Sequence, residues 1–318
     1  MYFETITRYE YYRGIMTNQK NKIHIKAYAK INLGLDVLGV LDNGYHLVHM
    51  IMQSIGLYDG IYITKTRKPG ISMSSNLHYL PNDQRNIAYR AGLLLDEDYG
   101  ILANTGIHIK IDKRIPVSAG LAGGSSNAAA VLMGLNDMFD LGLAMDTLCE
   151  YGLRLGADVP FCLRLGTMLA EGIGEDLSRL PAMPDCTILI AKPPKPVSTK
   201  MVYENLDHLA IHGWDQLPHP QNDRLIQGLE EGDIHKIASS MGNVLEQVTI
   251  PLLPTIQTIK EIMMNAGAIG AMMSGSGPTV FGIFEDRELA MKAKAQIYDQ
   301  RLSRQAYITY PYNSTHPT

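Results

Sequence analysis

The chain has 318 residues, 46% of them hydrophobic and 19% charged, with a formal net charge of −4. That length can bury one large core or two moderate ones, the charge gives no electrostatic footing for nucleic acid, and no apolar run approaches the roughly 18 residues of a membrane span. Cys149, Cys162 and Cys186 are odd in number and widely spaced, fitting neither a disulfide framework nor a zinc site, so a reducing cytoplasmic setting is the simplest reading.

Residues 1–22 are aromatic and polar and lack the apolar stretch of a signal peptide. Met16 is an alternative translation start, and this arm is assigned no function. From 23 to 40 the sequence alternates apolar and polar residues, the period of half-buried strands. Asn43-Gly44 is a strong hairpin signal. Residues 46–56 and 61–66 read as two further strands, 86–96 as a helix and 107–111 as a strand.

That strand delivers the chain to PVSAGLAGGSSNAAA, residues 116–130, the stretch around which the sequence is organised. Glycines followed by Ser125, Ser126 and Asn127, which are N-cap residue types, and then by alanines, describe a loop feeding a helix start. Such a junction aims free N–H groups and the positive helix end at one point, which makes a phosphate cradle. A plain strand-to-helix turn is the alternative. The helix should reach Phe139, with another over 145–155 closed by Gly156. Asp158 is then read as lying just past that helix, with Pro160 preventing continuation.

Strand, glycine turn and strand follow in MLAEGIGEDLSRLP, then a strand over 186–191. The proline-rich KPPKPVST marks the best domain boundary. Helices are expected over 199–209, 223–229, 233–246 and 254–266. Two strands flanking Ser274-Gly275-Ser276-Gly277-Pro278 come next, then a helix over 288–300 and a strand over 306–310. Strands and helices mixed without strict alternation argue an α+β fold.

The 274–278 loop either approaches a phosphate or substrate closely or is a tight hairpin. Lys30 is either an edge lysine or a cation held towards phosphate, and Asp158 either a solvated helix-end carboxylate or a general base. Other classes lack their parts. GxSxG, HExxH, GxGxxG and a Gly-Lys-Ser/Thr ending are all absent, and the histidines show no metal-ligand spacing.

Taken together, AYAKINLGLDVLG, PVSAGLAGGSSNAAA and MMSGSGPTVFGIF resemble the three signature motifs of the GHMP kinase superfamily. AKINLGL followed by DNGYH, LGADVPFCL and AEGIGE is similar to its branch acting on a cytidine diphosphate-linked methylerythritol in non-mevalonate isoprenoid synthesis. The resemblance implies a two-domain α+β fold. A ribosomal-protein-like ATP-binding domain would span 23–191 and a ferredoxin-like domain 192–318, with the active site between them. It implies ATP and Mg²⁺, with no protein ligand assigned to the metal, and a monomer or homodimer without nucleic-acid or membrane partners.

By motif, Asp158 becomes the catalytic base and Lys30 its partner, holding it ionised, with Asn32 near the reacting hydroxyl. The ATP phosphates fall to Pro116, Val117, Ser118, Ala119, Gly120, Leu121, Ala122, Gly123, Gly124, Ser125 and Ser126. Tyr45 and His46 go to the cytidine, Tyr203 is a second stacking face, and Gly275 and Ser276 line the cleft. Two departures stand out. The arm has no counterpart, and Ser118-Ala119 and Ala122 stand where the branch often has glycine, so these positions are expected to keep negative φ. Alternatives are a GHMP kinase acting on mevalonate, homoserine or a sugar, and a catalytically silent binding protein on the same scaffold.

Overall fold

The computed structural model describes residues 16–19 and 21–313, so most of the arm lies outside the described residues. A short edge strand, β1 (Met16–Gln19), pairs with the start of β2 (Lys22–Val40). Strand β2 pairs antiparallel with β3 (His46–Thr66) around the Asn-Gly turn, where Gly44 takes a φ of 82°. The two strands expected over 46–66 are one. Gly56 and Leu57 form a bulge opposite Tyr28 and Ala29, which lets pairing resume on the far side.

Strands β4 (Gly70–Ser75) and β5 (Gly106–Asp112) complete the order β1-β2-β3-β5-β4, with helix α1 (Ile87–Tyr99) between them in sequence. Helix α2 (Gly123–Met138) follows the glycine loop and is buried at every residue from Ser126 to Asn136. The helix is covered on all sides because it packs on β2 and β3 with one face and on α1 and the helices that follow it with the other. Ala128, Val131 and Leu135 share a core with Ile61, Ile63, Ile107 and Ile109. Helices α3 (Met145–Leu155) and α4 (Asp158–Arg164) lead to β6 (Thr167–Glu171), which pairs with β3, and to β7 (Asp176–Arg179).

Strand β8 (Thr187–Lys192) belongs to a second sheet rather than to the first half of the chain. The division between the sheets therefore falls in residues 180–186, ahead of the 191/192 boundary expected from the prolines. Proline marked a loop correctly, but strand partnership is a long-range property. Helices α5 (Thr199–Leu209), α6 (Asn222–Glu231) and α7 (Ile234–Ser240) follow. The single helix expected over 233–246 is broken by β9 (Gly242–Asn243), which runs parallel to β2 at Gly34 and Leu35, before α8 (Glu246–Leu252) begins. Gly242 packs on Pro220, where a β-carbon would stand 2.7 Å from the ring. Helix α9 (Thr255–Asn265), β10 (Gly270–Met273), β11 (Val280–Phe284), α10 (Arg287–Asp299) and β12 (Gln305–Thr309) complete the second sheet in the order β10-β11-β8-β12. No helix among the described residues is long and apolar enough to cross a membrane.

Several contacts knit the second half to the first. The Tyr312 N–H donates to Ser54 O at 2.8 Å. His219 Nδ1 is hydrogen-bonded to Asp36 Oδ1 at 2.8 Å, and that carboxylate holds the imidazole above its ordinary value near 6.5, against a smaller pull from burial. A raised folded-state pKa gives stability that is complete below the unfolded value and lost as pH rises through the folded one. The melting temperature of the wild type relative to His219→Gln should therefore shrink as pH is raised from about 6 to about 8. A difference that stays constant over that range would remove the charge from this contact.

Candidate active site

The glycine loop shows why its sequence is unusual. Ser118, Gly120 and Ala122 have φ of 51°, 72° and 54°, so the two non-glycine residues adopt the left-handed conformation they were expected to avoid. Left-handed backbone at a non-glycine residue is costly and persists only where the surrounding structure determines it. Ala122 is the N-cap and makes no side-chain capping bond. The first intrahelical bond runs from the Ser126 N–H to Ala122 O at 2.9 Å. The N–H groups of Gly123, Gly124 and Ser125 precede it and are the ones a helix start offers to an anion. Ser126 and Asn127, by contrast, lie within the helix and are buried. Ser126 Oγ donates to Tyr28 O at 2.5 Å, so it anchors the helix to β2.

The second glycine loop closes onto the first. Ser274 Oγ donates to Gly120 O at 2.9 Å, and a β-carbon on Gly120 would stand 2.2 Å from Ser274 O. A free-standing hairpin is thereby excluded. Asn243 Nδ2 donates to both Met273 O and Gly275 O, at 2.9 and 2.8 Å, fixing the loop from behind. Ser276 Oγ is hydrogen-bonded to Thr199 Oγ1 at 2.7 Å.

A cleft of about 630 Å³ runs between these loops. Its wall contains Lys30, Asp158, Tyr203, Gly275, Ser276 and the glycine loop from Pro116 to Ser125. Lys30 is only 5% exposed, and its Nζ donates to Asn32 Oδ1 at 2.6 Å. Asn32 is fully buried behind it and also donates from Nδ2 to Met50 Sδ at 3.6 Å. The ammonium is thus oriented by Asn32. Asp158 lies just past the end of α3, which Gly156 caps as expected, and it is also the first residue of the next helix, α4. Pro160 sits in that helix's first turn, where its missing N–H costs nothing. The position places the carboxylate at the N-terminal end of α4. Asp158 and Lys30 both bear on the Cys162 thiol, which burial first and Asp158 second push up to about 12 while Lys30 pulls down. Burial, and then Asp158, also raise the Tyr203 hydroxyl well above its usual range.

The expected cytidine residues are arranged unequally. Tyr203 lines the cleft, and its ring lies 4.6 Å from that of His46. His46 Nε2 donates to Asp207 Oδ1 at 2.6 Å, and the Trp214 ring stands edge-on to it at 6.1 Å. Tyr45 stands outside the cleft wall, 58% exposed at the end of the β2–β3 hairpin. Asp207, Trp214, Thr199 and Asn243 were not singled out from the sequence. Each is an ordinary polar or aromatic residue of a helix or connection, and only folding brings it to the motifs. A separate cavity of about 580 Å³, bounded by Tyr58, Tyr298 and Tyr310, contains none of the expected site residues.

Comparison with known proteins follows the same geometry. The family described as GHMP kinases N terminal domain matches residues 86–166, and that described as GHMP kinases C terminal matches residues 225–302. The 4-diphosphocytidyl-2-C-methyl-D-erythritol kinase of Lachnospira eligens is 50% identical over 287 residues, covering 90% of this chain and 97% of its own length. The kinase of the same name from Lachnoclostridium phytofermentans is 47% identical over 292 residues, covering 92% and 98%. A crystal structure of a 4-(cytidine 5′-diphospho)-2C-methyl-D-erythritol kinase superposes with a TM-score of 0.73 at 30% identity, covering 91% of this chain and 98% of its own. With both domains matched and relatives alike along nearly their whole length, this chain belongs to the GHMP kinase superfamily, in the family that contains the 4-diphosphocytidyl-2-C-methyl-D-erythritol kinases.

Proposed function

We propose that the protein transfers the γ-phosphate of ATP to the C2 hydroxyl of 4-diphosphocytidyl-2-C-methyl-D-erythritol, a step in non-mevalonate isoprenoid precursor synthesis. The observation that carries this reading is the convergence of Lys30, Asp158 and the glycine loop in one cleft whose wall continues to Tyr203 and, beyond it, His46. The relatives' names add the substrate. Three free cysteines fit a cytoplasmic setting.

Phosphoryl transfer through a loose transition state leaves the protein mainly to position groups and stabilise charge. In this reading Asp158 accepts the proton of the C2 hydroxyl as its oxygen attacks the γ-phosphorus, and ADP leaves with the bond electrons. The Lys30 ammonium, oriented by Asn32, compensates charge on the transferring group. The N–H groups at the start of α2 bind the β- and γ-phosphate oxygens. Among the described residues Asp158 is the one carboxylate in the cleft wall, and no cluster of three acidic, histidine or cysteine side chains that could hold a metal ion occurs. This suits Mg²⁺ held largely by phosphate oxygens and water, supplying further charge neutralisation when bound.

Two measurements test the assignment. ATP consumption should appear with the cytidine compound and not with mevalonate or homoserine; turnover with either of the latter instead would overturn the substrate. Tyr203→Ala should raise KM for the cytidine substrate about tenfold, with KM for ATP changed less than about twofold, because a stacked base contributes on the order of 1–3 kcal/mol. Equal effects on both KM values would remove Tyr203 from the cytidine subsite.

A further inference from the structure

A buried ion pair lies beneath the glycine loop, and the chemistry above does not use it. Asp59 on β3 is fully buried, and its carboxylate accepts four hydrogen bonds. Oδ2 takes the Lys113 ammonium at 2.5 Å and Asn127 Nδ2 at 2.8 Å. Oδ1 takes the backbone N–H groups of Arg114 at 2.7 Å and Ile115 at 2.8 Å. Residues 113–115 enter the loop and Asn127 lies in α2 just beyond it, so one carboxylate ties both ends of the loop to β3. Lys113 and Asn127 also line the cleft.

The placement of Lys113 argues for more than stability. A β-carbon on Gly123 would stand 2.7 Å from its Nζ, so the ammonium lies against the first residue of α2. A cation there opposes the helix dipole. Burial lowers the Lys113 pKa, while the Asp59 charge acts to raise it. Buried ion pairs, moreover, are often no more stabilising than apolar residues of the same shape. A pair that is costly to bury, in contact with the helix start that faces the cleft, is accounted for if its task is to hold that helix start where an anion must bind.

We propose that Asp59 is a positioning residue for the nucleotide. Through Lys113 and Asn127 it fixes the entry and exit of the loop, and thereby the direction of the Gly123, Gly124 and Ser125 N–H groups towards the phosphates. The inference rests on ATP being the phosphate donor. It concerns the phosphates and not the nucleoside, and that distinction supplies the test.

Binding of ADP and of adenosine would be measured by calorimetry for the wild type, Asn127→Ala and Asp59→Asn. The wild type should bind ADP more tightly than adenosine. In both variants ADP affinity should fall about tenfold, the equivalent of roughly 1.4 kcal/mol, while adenosine affinity stays within about twofold. KM for the phosphate acceptor should not move. Asn127→Ala leaves the ion pair and the other three bonds to Asp59 intact, so it decides the matter should Asp59→Asn fail to fold. A folded Asn127→Ala protein whose ADP and adenosine affinities are unchanged, or fall together, overturns the positioning role. A wild type that binds neither compound would instead overturn ATP as the donor.

Discussion

Replacing Asp158 by Asn is expected to lower kcat about 100- to 10,000-fold, the range of a positioned general base, while ATP affinity changes less than about threefold. The substitution keeps the size of the side chain and its place at the first position of α4. It removes the proposed proton acceptor and the charge that reaches Cys162 and Tyr203. A role in folding alone would reduce the amount of active protein without this separation of turnover from binding. Active-site titration combined with ATP binding separates the two. Near-normal kcat in the variant would require another base, and among the described residues the cleft wall offers no second carboxylate.

Gly120→Ala should be the most disruptive of the single-methyl changes in the loop. Its φ of 72° costs any other residue roughly 1–3 kcal/mol of strain, and its β-carbon would meet Ser274 O at 2.2 Å. The two glycine loops would have to part, taking the Ser274-to-Gly120 hydrogen bond with them. At about 2–4 °C per kcal/mol for a chain of this size, the melting temperature should drop by about 5 °C or more. KM for ATP should rise with it. Gly124→Ala is the control. Its β-carbon would meet only Ile87, at an ordinary 3.5 Å, and its effect on stability should stay within about 0.5 kcal/mol. Equal losses in the two variants would mean that loop contact is not what Gly120 provides.

The comparison with the sequence separates local from long-range information. Period-two alternation located β2 and β5, Asn43-Gly44 located the first hairpin, Gly156 located the end of α3, and the bounds expected for α5 match. The glycine loop was legible because its composition has few other uses. What failed depended on partners remote in the chain. Strand β8 reads as the end of a first domain until β11 and β12 pair with it. Gly242 sits in a helical pattern until Pro220 and β2 claim its neighbourhood. Ser118 and Ala122 accept positive φ because the fold around the loop requires it, against their own preference.

The site was legible in the same proportion. Lys30, Asp158 and the loop carry chemistry in their residue types, and the cleft unites them. The supporting groups were silent in sequence. Asp59 looks like one acidic residue in an apolar strand, and Asp207 like a helix-surface aspartate, until Lys113 and His46 respectively are folded against them. A charged residue within a run such as GLYDGIYI is the only local hint, since burying it demands a partner that the strand itself does not supply.

The most direct measurement follows the phosphate itself. Purified enzyme would be mixed with [γ-³²P]ATP, Mg²⁺ and 4-diphosphocytidyl-2-C-methyl-D-erythritol, and the label located in the products. The account predicts label in a monoester at the C2 hydroxyl of the cytidine compound, dependent on Asp158 and absent with mevalonate or homoserine. Label found only in inorganic phosphate, or transferred to another acceptor in preference, would contradict it.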